Sequence, residues 1–239
     1  MRALVVCGIV CFAAGLAVAG LPGLRDFLPQ LLAGAVVTIE ITIGGCAVAV
    51  AAALVAAMAK MYGPAPLRWL AVAYIELFRG TSALVQLFWL FYVLPHFGVL
   101  LEPMTVGIVA LGLNVGAYGA EVVRGAVNAV PRGQWEATVA LNMTRAQALR
   151  RVILPQAFVA MIPPWGNLFI ELLKATALVS LITISDLAFR AQQLNQITFE
   201  TVKIFTIVLL IYLAISSVIT VGMRALEERA ARGIGRGRA

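Results

Sequence analysis

Charge is scarce in this 239-residue chain. Asp, Glu, Lys and Arg together make up 12% of it, where an ordinary soluble domain carries about 25%. So little polar surface cannot wet a core of any shape, which excludes a soluble fold and makes lipid the main solvent. Histidine is nearly missing: His96 is the only one, so a multi-histidine metal site is excluded. The three cysteines, Cys7, Cys11 and Cys46, all sit in apolar stretches. An odd number without paired loop positions yields neither a disulfide framework nor zinc spacing. Lysine is rare too. Lys60, Lys174 and Lys203 follow Ala, Leu and Val, so the Gly-Lys-Ser/Thr of a phosphate-binding loop is absent. Long linkers, internal repeats and low-complexity tracts are also missing.

Apolar sequence is abundant. Hydrophobic residues reach 62% and mean hydropathy is +0.97. The length accommodates roughly five or six spans of ~20 residues. The first apolar run, residues 3–21, follows a single Arg2 and contains Ala17-Val18-Ala19. It fits either an extra N-terminal span or a signal-like segment cleaved after Ala19. The second run, 31–59, ends at Lys60 and the breaker Gly63-Pro64-Ala65-Pro66. The third, 69–101, is interrupted by Glu76, Arg79 and Gly80. As one helix it would be about 50 Å long, more than a bilayer needs. The expectation is an amphipathic lead-in over 67–78 and a span over 80–94. Pro103 opens the fourth run, 104–120, as a first-turn proline does. The fifth covers 158–187 and holds Pro163, Pro164, Glu171 and Lys174. A polar loop, 189–203, is expected before the sixth run, 204–223. This divides the chain into an N-terminal segment (1–25), a membrane domain (26–223) with a polar loop over 124–155, and a basic tail (224–239).

The net charge is +7, and its distribution matters more than its size. Arg2, Lys60, Arg68, Arg124, Arg132, Arg145, Arg150, Arg151, Arg224, Arg229, Arg232, Arg236 and Arg238 fall on one side of the implied topology. Arg25, Arg190 and Lys203 fall on the other, and Arg79 and Lys174 lie within spans. Thirteen against three is a positive-inside pattern. It places the 124–155 loop and the C-terminus in the cytoplasm and makes the basic charge a topology signal, so the expected partner of the spans is membrane lipid and not nucleic acid.

That loop is too elaborate for a connection, since most helix–helix links run 2–8 residues. One short helix is expected after Pro131, containing Gln134, Glu136, Ala137 and Leu141. Asn142 suits a left-handed C′ position. Thr144 with Gln147 three residues on has capping-box spacing. A second helix is expected from Arg145 to Leu154, stopped by Pro155. A polar helix pair on one membrane face suits the docking of a partner.

These residues resemble the coupling loop of permease subunits of ATP-binding-cassette importers. That signature is Glu-Ala-Ala, three residues, Gly, nine residues, Ile-x-Leu-Pro. Here Glu136, Ala137, Leu154 and Pro155 match at the right spacing, while Thr138, Asn142 and Val152 depart from it. Asn in place of Gly keeps the turn possible. Further motifs resemble the polar amino-acid subfamily, the histidine/glutamine/arginine/opine type. They are Glu76-Leu77-Phe78-Arg79-Gly80-Thr81, Val85-Gln86-Leu87-Phe88, the stretch from Gly116 to Gly125, Pro163-Pro164 with Gly166-Asn167, and Leu172-Leu173-Lys174 with Thr176. The resemblance covers about 31–223. Residues 140–143 and 181–187 are most similar to permeases for ectoine and hydroxyectoine.

The resemblance implies an all-α membrane protein of the type I importer permease fold, with five core spans. It implies a bacterial inner-membrane subunit that is not itself an enzyme and binds no cofactor. ATP and Mg would sit on a cytoplasmic ATPase dimer, docked through Gln134, Glu136, Ala137, Asn142, Arg145, Leu154 and Pro155. A second permease chain, identical or paralogous, and an external substrate-binding protein would complete the assembly. Ionisable and polar groups within spans usually face a cavity or the bundle interior. On that ground Gln86, Asn114, Tyr118, Lys174, Thr176 and Ser180 are expected to line a pathway for a polar amino acid or amino-acid-like solute. Glu171 and Lys174, three apart, can pair. Gly112, Gly116 and Ala120 form a small-residue stripe suited to close packing. The competing reading is a stand-alone ion-coupled transporter, which would usually show inverted repeats and a carboxylate relay. Glu40 and Glu171 are weak candidates for one.

Overall fold

A computed structural model describes residues 24–235, with side chains from 27 to 232. The alternatives for 3–21 lie outside the described residues. Every regular element among the described residues is helical. By length and composition four helical stretches suffice to cross a membrane: Phe27–Tyr62, Pro103–Asn128, Arg145–Ile182 and Thr201–Arg232. A pair bent by 110°, Ala65–Gly80 and Ala83–Phe97, makes a fifth if it is one span.

Helix α1 (Leu24–Tyr62) is rich in alanine and leucine and ends as expected before Gly63-Pro64. Pro64 is the N-cap of α2 (Ala65–Gly80), with Pro66 in its first turn, where a missing N–H costs nothing. The interruption expected near Arg79-Gly80 is real. Thr81 is extended (φ −123°, ψ 158°) and ends α2, and its hydroxyl donates to the Leu77 carbonyl at 2.7 Å. The lead-in is thus a full 16-residue helix. Helix α3 (Ala83–Phe88) continues through a wide turn, Trp89–Val93, and a tight one, Leu94–Phe97. Gly98 closes it at φ 81°, a conformation glycine adopts without a Cβ clash.

Three elements run further than the hydropathy suggests. Helix α4 (Pro103–Asn128) carries Glu121 and Arg124 inside it, because both charges find partners there. The short helices α5 (Arg132–Ala140) and α6 (Arg145–Ala148) follow. Pro155 does not stop the next helix. Leu149–Ile153 form a wide turn in which the Leu154 N–H reaches back five residues to the Leu149 carbonyl. The chain thereby enters α7 (Leu154–Ala175) with Pro155 at its second position. A tight helical segment, Thr176–Ile182, continues it. The polar loop expected over 189–203 is mostly helix α8 (Leu187–Thr198), capped by Asp186. Its buried positions Leu187, Ala191 and Leu194 form a narrow stripe at spacings of four and three, too sparse to register as an apolar run. Helix α9 (Thr201–Gly235) absorbs most of the expected basic tail.

The chain forms two compact units. The first comprises 24–45, Leu84–Leu111 and Glu171–Val218. Its core joins Phe27, Leu31 and Ala35 of α1 to the α8 stripe and to Ile204, Ile207 and Val208 of α9. Gly34 lets α1 approach α8 closely: a Cβ there would lie 2.8 Å from the Asp186 carbonyl oxygen and 2.9 Å from the Leu187 Cα. Thr38 is fully buried and accepts the Leu187 N–H at 3.1 Å.

The second unit comprises Cys46–Ala83, Gly112–Ile170 and 219–235. Small residues hold it together. A Cβ at Gly116 would meet the Tyr74 hydroxyl at 2.9 Å, the Ala52 Cβ at 3.0 Å and the Ala49 carbonyl at 3.1 Å. At Gly119 it would meet the Trp165 ring at 2.5 Å. The small-residue stripe of α4 therefore packs within the chain.

Candidate functional site

The α5–α6 pair in the second unit is polar and largely exposed. Pro131 is the N-cap of α5. Thr138 faces inward, nearly fully buried, and its hydroxyl donates to the Trp135 carbonyl at 2.7 Å. Glu136, Val139 and Ala140 lie three and four apart and are all exposed, so they share the outward face. Val139 is 74% exposed and Leu141 70%. Two large apolar side chains are thus exposed on an otherwise polar segment.

The joint between the helices is built as the spacing implies. Asn142 has φ 54°. Its N–H bonds to the Val139 carbonyl at 2.9 Å, and the Met143 N–H to the Thr138 carbonyl at 3.0 Å. These two bonds make a Schellman ending, which requires a left-handed residue at the Asn142 position. Thr144 then caps α6 reciprocally: its hydroxyl accepts the Gln147 N–H at 3.3 Å, and Gln147 Oε1 accepts the Thr144 N–H at 2.9 Å. The pair is anchored to α7, since Gln156 Nε2 donates to Gln134 Oε1 at 3.1 Å. Ala137, Arg145 and Pro155 are exposed and Leu154 is half-buried.

The second unit also holds an ion cluster that hydropathy gave no sign of. Lys60 Nζ and Arg124 Nη2 each stand 2.7 Å from a separate oxygen of Glu121. Lys60 and Glu121 are mostly buried, at 23% and 19% side-chain exposure. One carboxylate thus ties the end of α1 to α4. Sixty-one residues separate the pair, so no local spacing could have revealed it.

Two of the six expected pathway residues are brought together in this unit. Asn114 Nδ2 donates to the Phe78 carbonyl at 3.1 Å. Tyr118 donates to the Arg79 carbonyl at 3.5 Å, and the Arg79 guanidinium stands 5.5 Å from the Tyr118 ring centroid. Tyr74 donates back to the Leu113 carbonyl at 2.6 Å. Asn114 and Tyr118 therefore cap the carbonyl-rich end of α2 just before its break.

The other four lie in the first unit. Thr176 is fully buried with its hydroxyl on the Leu173 carbonyl at 2.7 Å. Ser180, half-buried, donates to the Ala177 carbonyl at 2.8 Å. Gln86 is half-buried on α3, and Lys174 is exposed on α7. Glu171 is exposed too, and the expected Glu171–Lys174 pair does not form among the described ion pairs. An exposed pair of long side chains gains too little to hold one geometry.

Asp186 is the polar residue of this unit that sequence reasoning passed over. Its Oδ1 accepts the Phe189 N–H at 2.9 Å, capping α8. The residue is fully buried and Oδ2 has no hydrogen-bond partner. Burial pushes its carboxyl up to about 6, against the opposing pull of the α8 backbone N–H groups. The Asp-x-x-Phe cap spacing was the available signal, and it was obscured because Asp186 fell inside the expected apolar run 158–187 rather than at a helix start.

Comparison with known proteins agrees with this architecture. Residues 49–232 match the family described as binding-protein-dependent transport system inner membrane component. A probable amino-acid ABC transporter permease of Sinorhizobium fredii is 44% identical over 214 residues, covering 87% of this chain and 90% of that protein. The L-cystine transport system permease of Bacillus subtilis is 39% identical over 206 residues, covering 86% and 88%. The crystal structure of an amino acid ABC transporter with histidines contains a chain with a TM-score of 0.80 and 35% identity, covering 86% of this chain and 96% of that one.

Proposed function

This chain belongs to the family of binding-protein-dependent transport system inner membrane components, and from that premise we propose that it is the permease subunit of an importer for a polar amino acid or amino-acid-like solute. Relatives named as amino-acid and L-cystine permeases support the solute class. Within that class we propose ectoine or hydroxyectoine as the solute to test first, on the resemblance of residues 140–143 and 181–187 alone.

The observation that carries the reading is the α5–α6 pair. A rigid helix with one exposed carboxylate, Glu136, beside exposed Val139 and Leu141 suits a groove that is apolar with a cationic rim. We assign that groove to a separate ATPase dimer in the cytoplasm, which holds the ATP and Mg. The Schellman joint and the capping box make α5 and α6 one lever, and Gln134–Gln156 links the lever to α7. Motion of the ATPases would pass along that link to the spans. A second permease chain and an external binding protein complete the proposed assembly, with the loop and the C-terminus on the cytoplasmic side.

The test is co-purification with a candidate ATPase subunit expressed together with this chain. Glu136→Arg should reduce recovered ATPase at least about tenfold, since reversing a charge at a docked contact costs several kcal/mol. Full retention of the ATPase after removal of the whole 132–148 segment would refute docking through this loop.

A further inference from the structure

A further cavity of the second unit runs along α7 and shares Arg150, Leu154 and Pro155 with the end of the polar loop. It is an open groove of about 840 Å³ between α1, α7 and α9. Its walls are almost entirely apolar, with Leu154, Phe158, Ile162 and Trp165 along α7 and Leu226 on α9. The only charged residue on its lining is Arg150. Arg150 also lines an adjoining cavity of about 560 Å³, together with Arg151, Gln147 and Ala146. Both arginines are exposed, and no carboxylate pairs with either among the described ion pairs.

An apolar trough that opens onto two adjacent cations is a composite recognition surface. The stretch of α7 from Leu154 to Phe169 is on the order of 22 Å long, against ~15 Å for the hydrocarbon depth of one leaflet. The groove therefore accommodates an acyl chain in full. We propose that it binds an anionic phospholipid, with the chains along α7 and the phosphate between Arg150 and Arg151. Charge argues against a second copy of this chain as the occupant, since that copy would bring a further net +7 and no surplus of carboxylates. Arginine suits phosphate through its planar, bidentate donor set. The arginines also sit directly after α6, so a bound lipid would steady the turn Leu149–Ile153 that leads into α7.

Trp165 provides the readout. The chain has four tryptophans, and replacing Trp69, Trp89 and Trp135 by Phe leaves Trp165 alone in the groove. The full chain would be placed in phosphatidylcholine vesicles carrying either brominated phosphatidylglycerol or brominated phosphatidylcholine at equal mole fraction. Brominated phosphatidylglycerol should quench Trp165 at the lower concentration. Arg150→Gln should weaken that preference about fivefold, the effect of one basic residue at an anionic lipid, while Arg150→Lys should keep most of it. Raising the ionic strength should erode the preference in the otherwise unmodified protein, a check that needs no arginine variant to fold. Equal quenching by the two lipids would overturn the assignment. So would a preference that survives both Arg150→Gln and Arg151→Gln. Absence of quenching, with Leu226→Cys forming a disulfide between two chains, would identify the groove as a chain–chain interface instead.

Discussion

Asp186 combines two roles that pull against each other. As an N-cap it accepts a backbone N–H of α8, which favours the carboxylate, yet its burial favours the neutral acid. Burial wins, and its pKa rises from 3.8 to about 6. The folded chain then holds the proton more tightly than the unfolded one, so the stabilisation is complete at low pH and is lost as pH rises through about 6. Asp186→Asn retains an oxygen to cap α8 and cannot ionise. Its melting temperature in detergent should stay flat between about pH 4 and 7, where the parent falls, and should exceed the parent's at the upper end. A variant that tracks the parent across this range would remove Asp186 as the titrating group. Glu121 shows the opposite solution to a charge in a helix. Lys60 and Arg124 stand on either side of it, one at each carboxylate oxygen.

At the scale of the element, the α5–α6 pair depends on one backbone conformation. Asn142 stands where the related signature has Gly, and at φ 54° it occupies the region that Asn tolerates and β-branched residues avoid. Asn142→Val should destabilise the helix pair by about 1–2 kcal/mol, while Asn142→Gly should be neutral or better. Hydrogen exchange over residues 132–150 in vesicles measures this directly. Equal protection in the valine and glycine variants would contradict the Schellman geometry. The pair was legible in the sequence because caps are local: Thr144, Gln147 and Asn142 act through bonds to residues at most five away. Helix α8 was not legible, since three buried residues in twelve leave no apolar run. The passage of α7 through Pro155 was equally hidden. It depends on the wide turn at Leu149–Ile153, which no residue type announces.

At the scale of the whole molecule, the residues expected from the sequence to line a pathway make a prediction about transport. Asn114 caps the Phe78 carbonyl at the end of α2, and Lys174 is exposed on α7, outside the ion pairs of the described residues. If both serve the solute, Asn114→Ala and Lys174→Met should each cut uptake at least about tenfold at equal expression, as loss of a specific polar contact does. The assay would offer labelled cystine, glutamine, histidine and ectoine with the cognate binding protein. Unchanged uptake in both variants would remove them from the pathway, and the responding solute would identify the substrate.

Composition, the length of the apolar runs, the placement of arginine and the cap residues Asn142, Thr144 and Gln147 by themselves determined that the chain lives in lipid, that it is helical, and that a capped helix pair interrupts its spans. Those properties follow from transfer free energy and from hydrogen bonds within one or two turns, which act along the chain. Tertiary structure alone decided the Lys60–Glu121 bridge, the burial of Asp186 against α1, and the groove that opens at Arg150. Each of these joins residues dozens of positions apart. Their energy depends on which surfaces meet in space, and the order of the residues carries no direct record of that.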